Sequence, residues 1–247
     1  MAFFRSLVLT AVVVGLLAGL LSATMQEFLT TPLLHQAEVI ESQLPAPSQN
    51  AATHETTDGH SHDHGPSWAP EDGLERQLFT GLATVVGTIG FTLLLLVAAE
   101  FSGGLAHWRQ GLAWGVAGFM IFVLVPSLGL PPELPAMPAA DLMARQTWWL
   151  GTAVATAAGI GLLIFTRQLV LAVVAVLLLV APHVIGAPHP ADLSSPIPEA
   201  LHHLFVIRVT VVNFVVWAVL GGLAGALAPR WLVRNDDGLQ ALTAKSH

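Results

Sequence analysis

Leu78-Phe-Thr-Gly-Leu-Ala-Thr-Val-Val-Gly-Thr-Ile-Gly-Phe-Thr-Leu-Leu-Leu-Leu-Val-Ala-Ala99 runs for 22 residues without a charged side chain, between Arg76 and Glu100. At roughly 1.5 Å of rise per residue this is about 33 Å of helix, enough to cross a hydrocarbon core of about 30 Å. Five further stretches read the same way: Ser6–Met25, Leu112–Leu130, Trp148–Phe165, Leu169–Ile185 and Val206–Leu227. Only Thr166, Arg167 and Gln168 separate the fourth span from the fifth, which predicts a tight hairpin with a basic tip. The sequence therefore predicts an all-α polytopic membrane protein of about six transmembrane helices. Its parts are a first helix (1–29), a long His-rich extracytoplasmic loop, partly disordered (30–77), a five-helix bundle (78–229) and a cytoplasmic tail (230–247).

Composition agrees. Hydrophobic residues make up 54% of the 247, charged residues 10%, and the mean hydropathy is +0.69. A soluble domain carries about 25% charged residues, so this chain has too few charges to cover a water-facing surface. A formal charge of −7 excludes the basic footprint of a nucleic-acid binder. With no cysteine, any metal must be held by nitrogen and oxygen ligands. Arg5 ahead of an apolar run, with Leu21-Ser-Ala-Thr24 after it, also has the outline of a signal peptide. The length of the run favours a retained helix.

Placing the N-terminus in the cytoplasm puts Arg5, Arg109, Arg167, Arg230, Arg234 and Lys245 inside, and Arg76, Arg145 and Arg208 outside. Six against three follows the positive-inside rule. Thirteen of the sixteen carboxylates and nine of the eleven histidines then fall outside. Carboxylates contribute little to orientation, so their excess is a functional signal.

Small residues allow close helix contact within lipid. Gly15-x3-Gly19, Gly111-x3-Gly115 and Gly221-x3-Gly225 supply them. The three outer loops also resemble one another. Each odd span ends near a proline (Pro32, Pro126, Pro182), and each even span opens with an acid and then a basic group. Those openings are Asp72/Arg76/Gln77, Asp141/Arg145/Gln146 and Glu199/His203. Acids in a first helical turn favour the positive end of the helix dipole, and an i, i+4 pair shares a face. The pattern predicts three hairpin repeats, in which Arg76 and Arg145 form structural ion pairs with Asp72 and Asp141. Transporter sites often lie between such repeats.

The segment His54-Glu-Thr-Thr-Asp58-Gly-His60-Ser-His62-Asp63-His64 packs imidazoles and carboxylates into eleven residues. Imidazole suits Co, Ni, Cu and Zn, so His54, Asp58, His60, His62 and His64 read as a metal collector; the alternative is a solvated polar linker. Deeper candidates are His35 and Glu38, three apart after the first span, with His183, His189 and His203 near the later outer loops. A polar group at membrane depth faces a cavity or a partner. For His183 the competing reading is an interfacial histidine bonded to a backbone carbonyl. Asp72, Asp141 and Glu199 would ring the entrance. Asn213 reads as an interhelical hydrogen bond, Arg208 as a snorkelling cation, and Trp148, Trp149 and Trp231 as an interfacial belt. No His-Glu-x-x-His, nucleophile elbow or phosphate loop is present.

Four stretches carry a family resemblance: Trp68-Ala-Pro-Glu-Asp-Gly-Leu-Glu-Arg76, Gly129-Leu-Pro-Pro-Glu-Leu-Pro135, Pro138-Ala-Ala-Asp141 with Ala144-Arg-Gln-x-Trp-Trp149, and Ala181-Pro-His-x-Ile-Gly-Ala-Pro-His189. Across nearly its whole length the chain resembles the CbtA family, predicted cobalt transporter subunits of bacterial inner membranes. The resemblance implies cobalt uptake linked to cobalamin synthesis, and a small single-span His-containing partner, CbtB. That family is described with five spans, one fewer than counted above.

The functional expectation is inward transport of a divalent transition metal, Co with Ni and Zn as alternatives. The metal is a substrate, and no tightly bound cofactor is expected. A homo-oligomer is compatible with the sequence. The rival readings are a metal-binding sensor or assembly subunit without transport, and a metal-dependent intramembrane enzyme.

Overall fold

The computed structural model describes residues 2–44, 70 and 73–232, and every structural statement below concerns these. They form helices, with no strand among them. Helix α1 (Ala2–Leu29) is followed by α2 (Thr31–Ser42) and α3 (Leu74–Phe101). Next come α4 (Trp108–Phe119), a π-helical turn (Met120–Leu124) and the short α5 (Val125–Ser127). After these come α6 (Leu142–Phe165), α7 (Leu169–Ile185) and α8 (Glu199–Trp231).

Five stretches are long and apolar enough to cross a membrane: Phe3–Leu29, Leu74–Phe101, Trp108–Ser127, Leu142–Phe165 and Glu199–Trp231. The expected sixth, α7, has only 17 residues, roughly 25 Å of helix. Its start is set by the extended backbone at Gln168 and its end by Gly186, whose φ of +86° favours glycine. Helix α7 runs antiparallel to α6, with Gly159 against Ala175 and Leu179, and Trp148 against Pro182.

The packing differs from three consecutive hairpins. Helix α1 packs on α3, as the first repeat requires, but α4 packs on α8 and α6 on α7. The reason lies in the small residues. Gly111 and Gly115 face Gly221 and Gly225 so closely that a Cβ at Gly221 would come 2.4 Å from the Gly111 carbonyl oxygen. Gly15 and Gly19 likewise meet the backbone of Ile89 and Val85. All three glycine motifs therefore sit at helix crossings, and two of them meet each other across one crossing.

The main core joins α1, α3, α4 and α8 through residues such as Leu7, Val14, Leu96, Phe119, Trp217 and Leu220. Phe122 in the π turn stacks on Trp217 with ring centroids 5.7 Å apart, and touches Phe91 at 5.1 Å. The π turn lies just before Pro126, whose ring would clash with the carbonyl of Phe122 in a regular helix. A smaller core of Leu33, Ala37, Leu134, Ile197 and Phe205 ties α2 to two loops and the start of α8. Together with Arg208 donating to the Leu29 carbonyl at 2.8 Å and His202 bonded to the Pro132 carbonyl at 3.1 Å, it gathers the three expected outer loops at one end of the bundle.

Candidate metal-entry site

At that end α1 and α3 part. The α1–α3 seam is closed at Gly15 and Gly19, and a Cβ at Gly81 would lie a full 4.0 Å from Ala23. Beyond this point a cavity of 520 Å³ opens between α1, α2 and α3. Glu27, His35, Glu38, Arg76, Gln77 and Thr80 are among its lining residues. Helix α1 stops at Leu29, and α2 starts after Thr30 with Pro32 in its first turn, where a missing N–H costs nothing. The buried Leu33 and Ala37 hold α2 down, leaving its polar face toward the cavity.

Glu38 is the centre of the polar contacts. Its Oε2 is 2.9 Å from His35 Nδ1, and its Oε1 accepts from Arg76. The Arg76 hydrogen bond first, and the His35 contact second, hold the Glu38 carboxyl below the usual glutamate range. Lower on the same wall, Gln77 donates to Glu27 at 3.0 Å. Sequence reasoning singled out neither Glu27 as a site residue nor Gln77 beyond the repeat. The signal was available only in part: Thr31, His35 and Glu38 follow at intervals of four and three, the period of one helical face, while Glu27 stands on α1 before the break at Thr30.

Arg145 finds a partner other than the nearest expected acid. Arg145 pairs with Glu133 at 2.8 Å, across the loop, and not with Asp141 at i−4. Asp141 instead caps α6 by accepting from the Ala144 backbone N–H at 2.8 Å. A capping carboxylate bends back toward its own helix start and is not free to reach Arg145 one turn on. Arg76 reaches Glu38 on another helix. Asp72 lies outside the described residues, as do His54, Asp58, His60, His62 and His64.

The other candidates are spread out. His203 is 3.5 Å from Glu199 on the exposed start of α8, and His189 is exposed in the loop before it. His183 has its Nε2 buried without a hydrogen-bond partner, and its ring stands edge-on to Trp148 with centroids 6.0 Å apart. It is thus neither bonded to a carbonyl through Nε2 nor joined to the His35–Glu38 pair. Among the described residues no three His, Asp or Glu side chains converge on one point. The vestibule expected from His35, Glu38, His183, His189 and His203 is therefore a set of separated groups, the only close pair among them being His35–Glu38.

One further expectation changes. Asn213 donates to the Val209 carbonyl of its own helix at 2.9 Å, not across helices. Arg208 holds the end of α1 through the Leu29 carbonyl. Trp148 donates to the Pro182 carbonyl at 3.3 Å and covers Gly129, so it fastens α6 to α7.

No curated protein and no solved structure matches the chain. A family model does, over residues 4–229, and its description reads "probable cobalt transporter subunit (CbtA)". The match spans all five long apolar helices and the cavity between α1, α2 and α3; the chain belongs to the CbtA family.

Proposed function

We propose that this chain is the membrane-spanning subunit of an inward transporter for a divalent transition metal, with Co²⁺ as cargo. It works in the bacterial inner membrane with both termini cytoplasmic, and the His54–His64 segment collects metal outside. A small single-span His-containing protein is its partner. The observation that carries this reading is the family match across residues 4–229. The cavity supports it chemically, since imidazole and carboxylate suit borderline divalent cations.

In this scheme metal passes from the His54–His64 segment to the α1–α2–α3 cavity at His35 and Glu38, with Glu199 and His203 on the same end of the bundle. His183 in α7 and His189 just after it are further stations. Asp141, engaged as a helix cap, has a structural role. An inside-negative membrane potential contributes about 2.3 kcal/mol per charge per 100 mV, roughly doubled for a divalent ion moving inward. Uptake then needs no nucleotide hydrolysis by this chain.

The test is accumulation of Co, Ni, Zn and Cu in cells expressing the chain with its partner, beside a variant lacking residues 54–64. Cobalt should rise above the other metals, and the deletion should raise only the external concentration needed. Equal accumulation of all four metals would refute cobalt as the cargo. No accumulation of any metal would refute transport.

A further inference from the structure

We infer that His35 is the cation-binding group of the α1–α2–α3 cavity and that Glu38 is its positioning residue, anchored by Arg76, not a second ligand. Both Glu38 oxygens are engaged, Oε1 by Arg76 and Oε2 by His35 Nδ1 at 2.9 Å. A carboxylate paired with a guanidinium can only accept. The hydrogen shared with His35 therefore sits on Nδ1. A neutral imidazole with Nδ1–H carries its bare lone pair on Nε2. Metal-bound histidines usually take this form: one ring nitrogen ligates while the other donates to a carboxylate, which fixes tautomer and ring direction. For Glu38 to ligate as well, it would have to release either Arg76 or His35.

The support is a packed helix. His35 and Glu38 are one turn apart on α2, and α2 is fixed by buried Leu33 and Ala37. The His35 side chain is 58% exposed, so a hydrated cation can reach it. Since no three His, Asp or Glu side chains converge among the described residues, a cation at Nε2 keeps most of its coordination positions for water. Such a site receives and releases quickly, as an entry station must. The identity of the cargo rests on the transport reading; the roles of His35 and Glu38 rest on the geometry.

The test is Co²⁺ titration of the full chain in detergent by calorimetry, in a background with His54→Asn, His60→Asn, His62→Asn and His64→Asn. His35→Ala should remove one binding event. Glu38→Ala should weaken it about 10–100-fold, the usual cost of losing an orienting partner. Glu38→Gln keeps an oxygen for Nδ1–H and should lose far less. Nitrogen-15 shifts of the His35 ring should place the bare lone pair on Nε2. The proposal is overturned if Glu38→Gln falls as far as Glu38→Ala, if the lone pair lies on Nδ1, or if His35→Ala leaves binding unchanged. Binding that behaves as expected, in a chain that moves no metal in cells, would refute transport and leave these roles standing.

Discussion

The α4–α8 seam and the α1–α3 seam are both built on paired glycines, yet one stays closed and the other opens. Along α4–α8, Gly111 and Gly115 meet Gly221 and Gly225, and glycine stands on both sides. Along α1–α3, Gly15 and Gly19 meet Ile89 and Val85, and toward one end Gln26, Glu27, Gln77 and Thr80 replace the small and apolar residues. Polar side chains of that size cannot interdigitate backbone to backbone, and burying them dry would leave donors and acceptors unpaired. The helices part, and a cavity with charged walls results. The closed seam gives the bundle its shape and the open seam gives it a place for a polar ligand.

The largest effect should come from breaking the closed seam. Gly221→Leu puts a side chain where even a Cβ would lie 2.4 Å from the Gly111 carbonyl oxygen. Backbone cannot yield as a flexible side chain does, and overpacking costs about 3 kcal/mol at the upper end of its usual range. Unfolding in detergent should show this loss. A variant as stable as the parent would mean that the α4–α8 crossing is not where the glycines place it.

Next is the fastening of the open end. Arg208→Met removes a charged donor from the Leu29 carbonyl, and bonds from charged groups contribute about 1.5 kcal/mol or more. Loss of stability should be accompanied by faster hydrogen exchange at the end of α1 and the start of α2. If exchange there is unchanged, Arg208 does not hold the α1–α2 junction.

Trp148→Phe tests the far side of the bundle. It deletes the bond to the Pro182 carbonyl while keeping most of the apolar ring, at a cost of about 1 kcal/mol. Because His183 stands edge-on to the same ring, its proton resonances should shift as well. Metal binding at His35 should not change, since α6 and α7 stand apart from that cavity.

The smallest effect is electrostatic. Arg76, and then His35, hold the Glu38 carboxyl low, so the folded state binds its proton less readily than the unfolded chain. The stabilisation is therefore present above the ordinary glutamate range and is lost as pH falls through the depressed value. Melting of the parent and of Arg76→Gln should differ modestly at neutral pH, by under about 1 kcal/mol for a pair this exposed. The difference should close only below the ordinary glutamate range. A gap that widens in acid would contradict the pairing.

Much of this fold was legible in the chain. Uninterrupted apolar runs gave the five long helices, and glycines at four-residue spacing marked the helix crossings. Which crossings pair was not legible, because Gly111-x3-Gly115 is equally suited to any small-residue face. The outer-loop repeat likewise suggested hairpins that the packing of α4 on α8 replaces. In the site, His35 and Glu38 were readable from their spacing of three, but the helix that carries them was not, since residues 30–77 read as a loop and α2 lies within it. Glu133 as the partner of Arg145 was not, since a loop brings them together and the i, i+4 acid, Asp141, was diverted to a cap. Nor was the cavity itself, which exists only because α1, α2 and α3 diverge.

The most direct test of the open seam as the way in uses the chain's lack of cysteine. Thr80→Cys places one thiol on the cavity wall, and Ala158→Cys places one in an apolar groove of equal volume, 520 Å³, on α6. Cobalt accumulation would be measured in cells before and after treatment with a bulky thiol reagent. The account predicts that labelling stops uptake through Thr80→Cys and leaves Ala158→Cys unaffected. Uptake that survives full labelling at Thr80→Cys would contradict it.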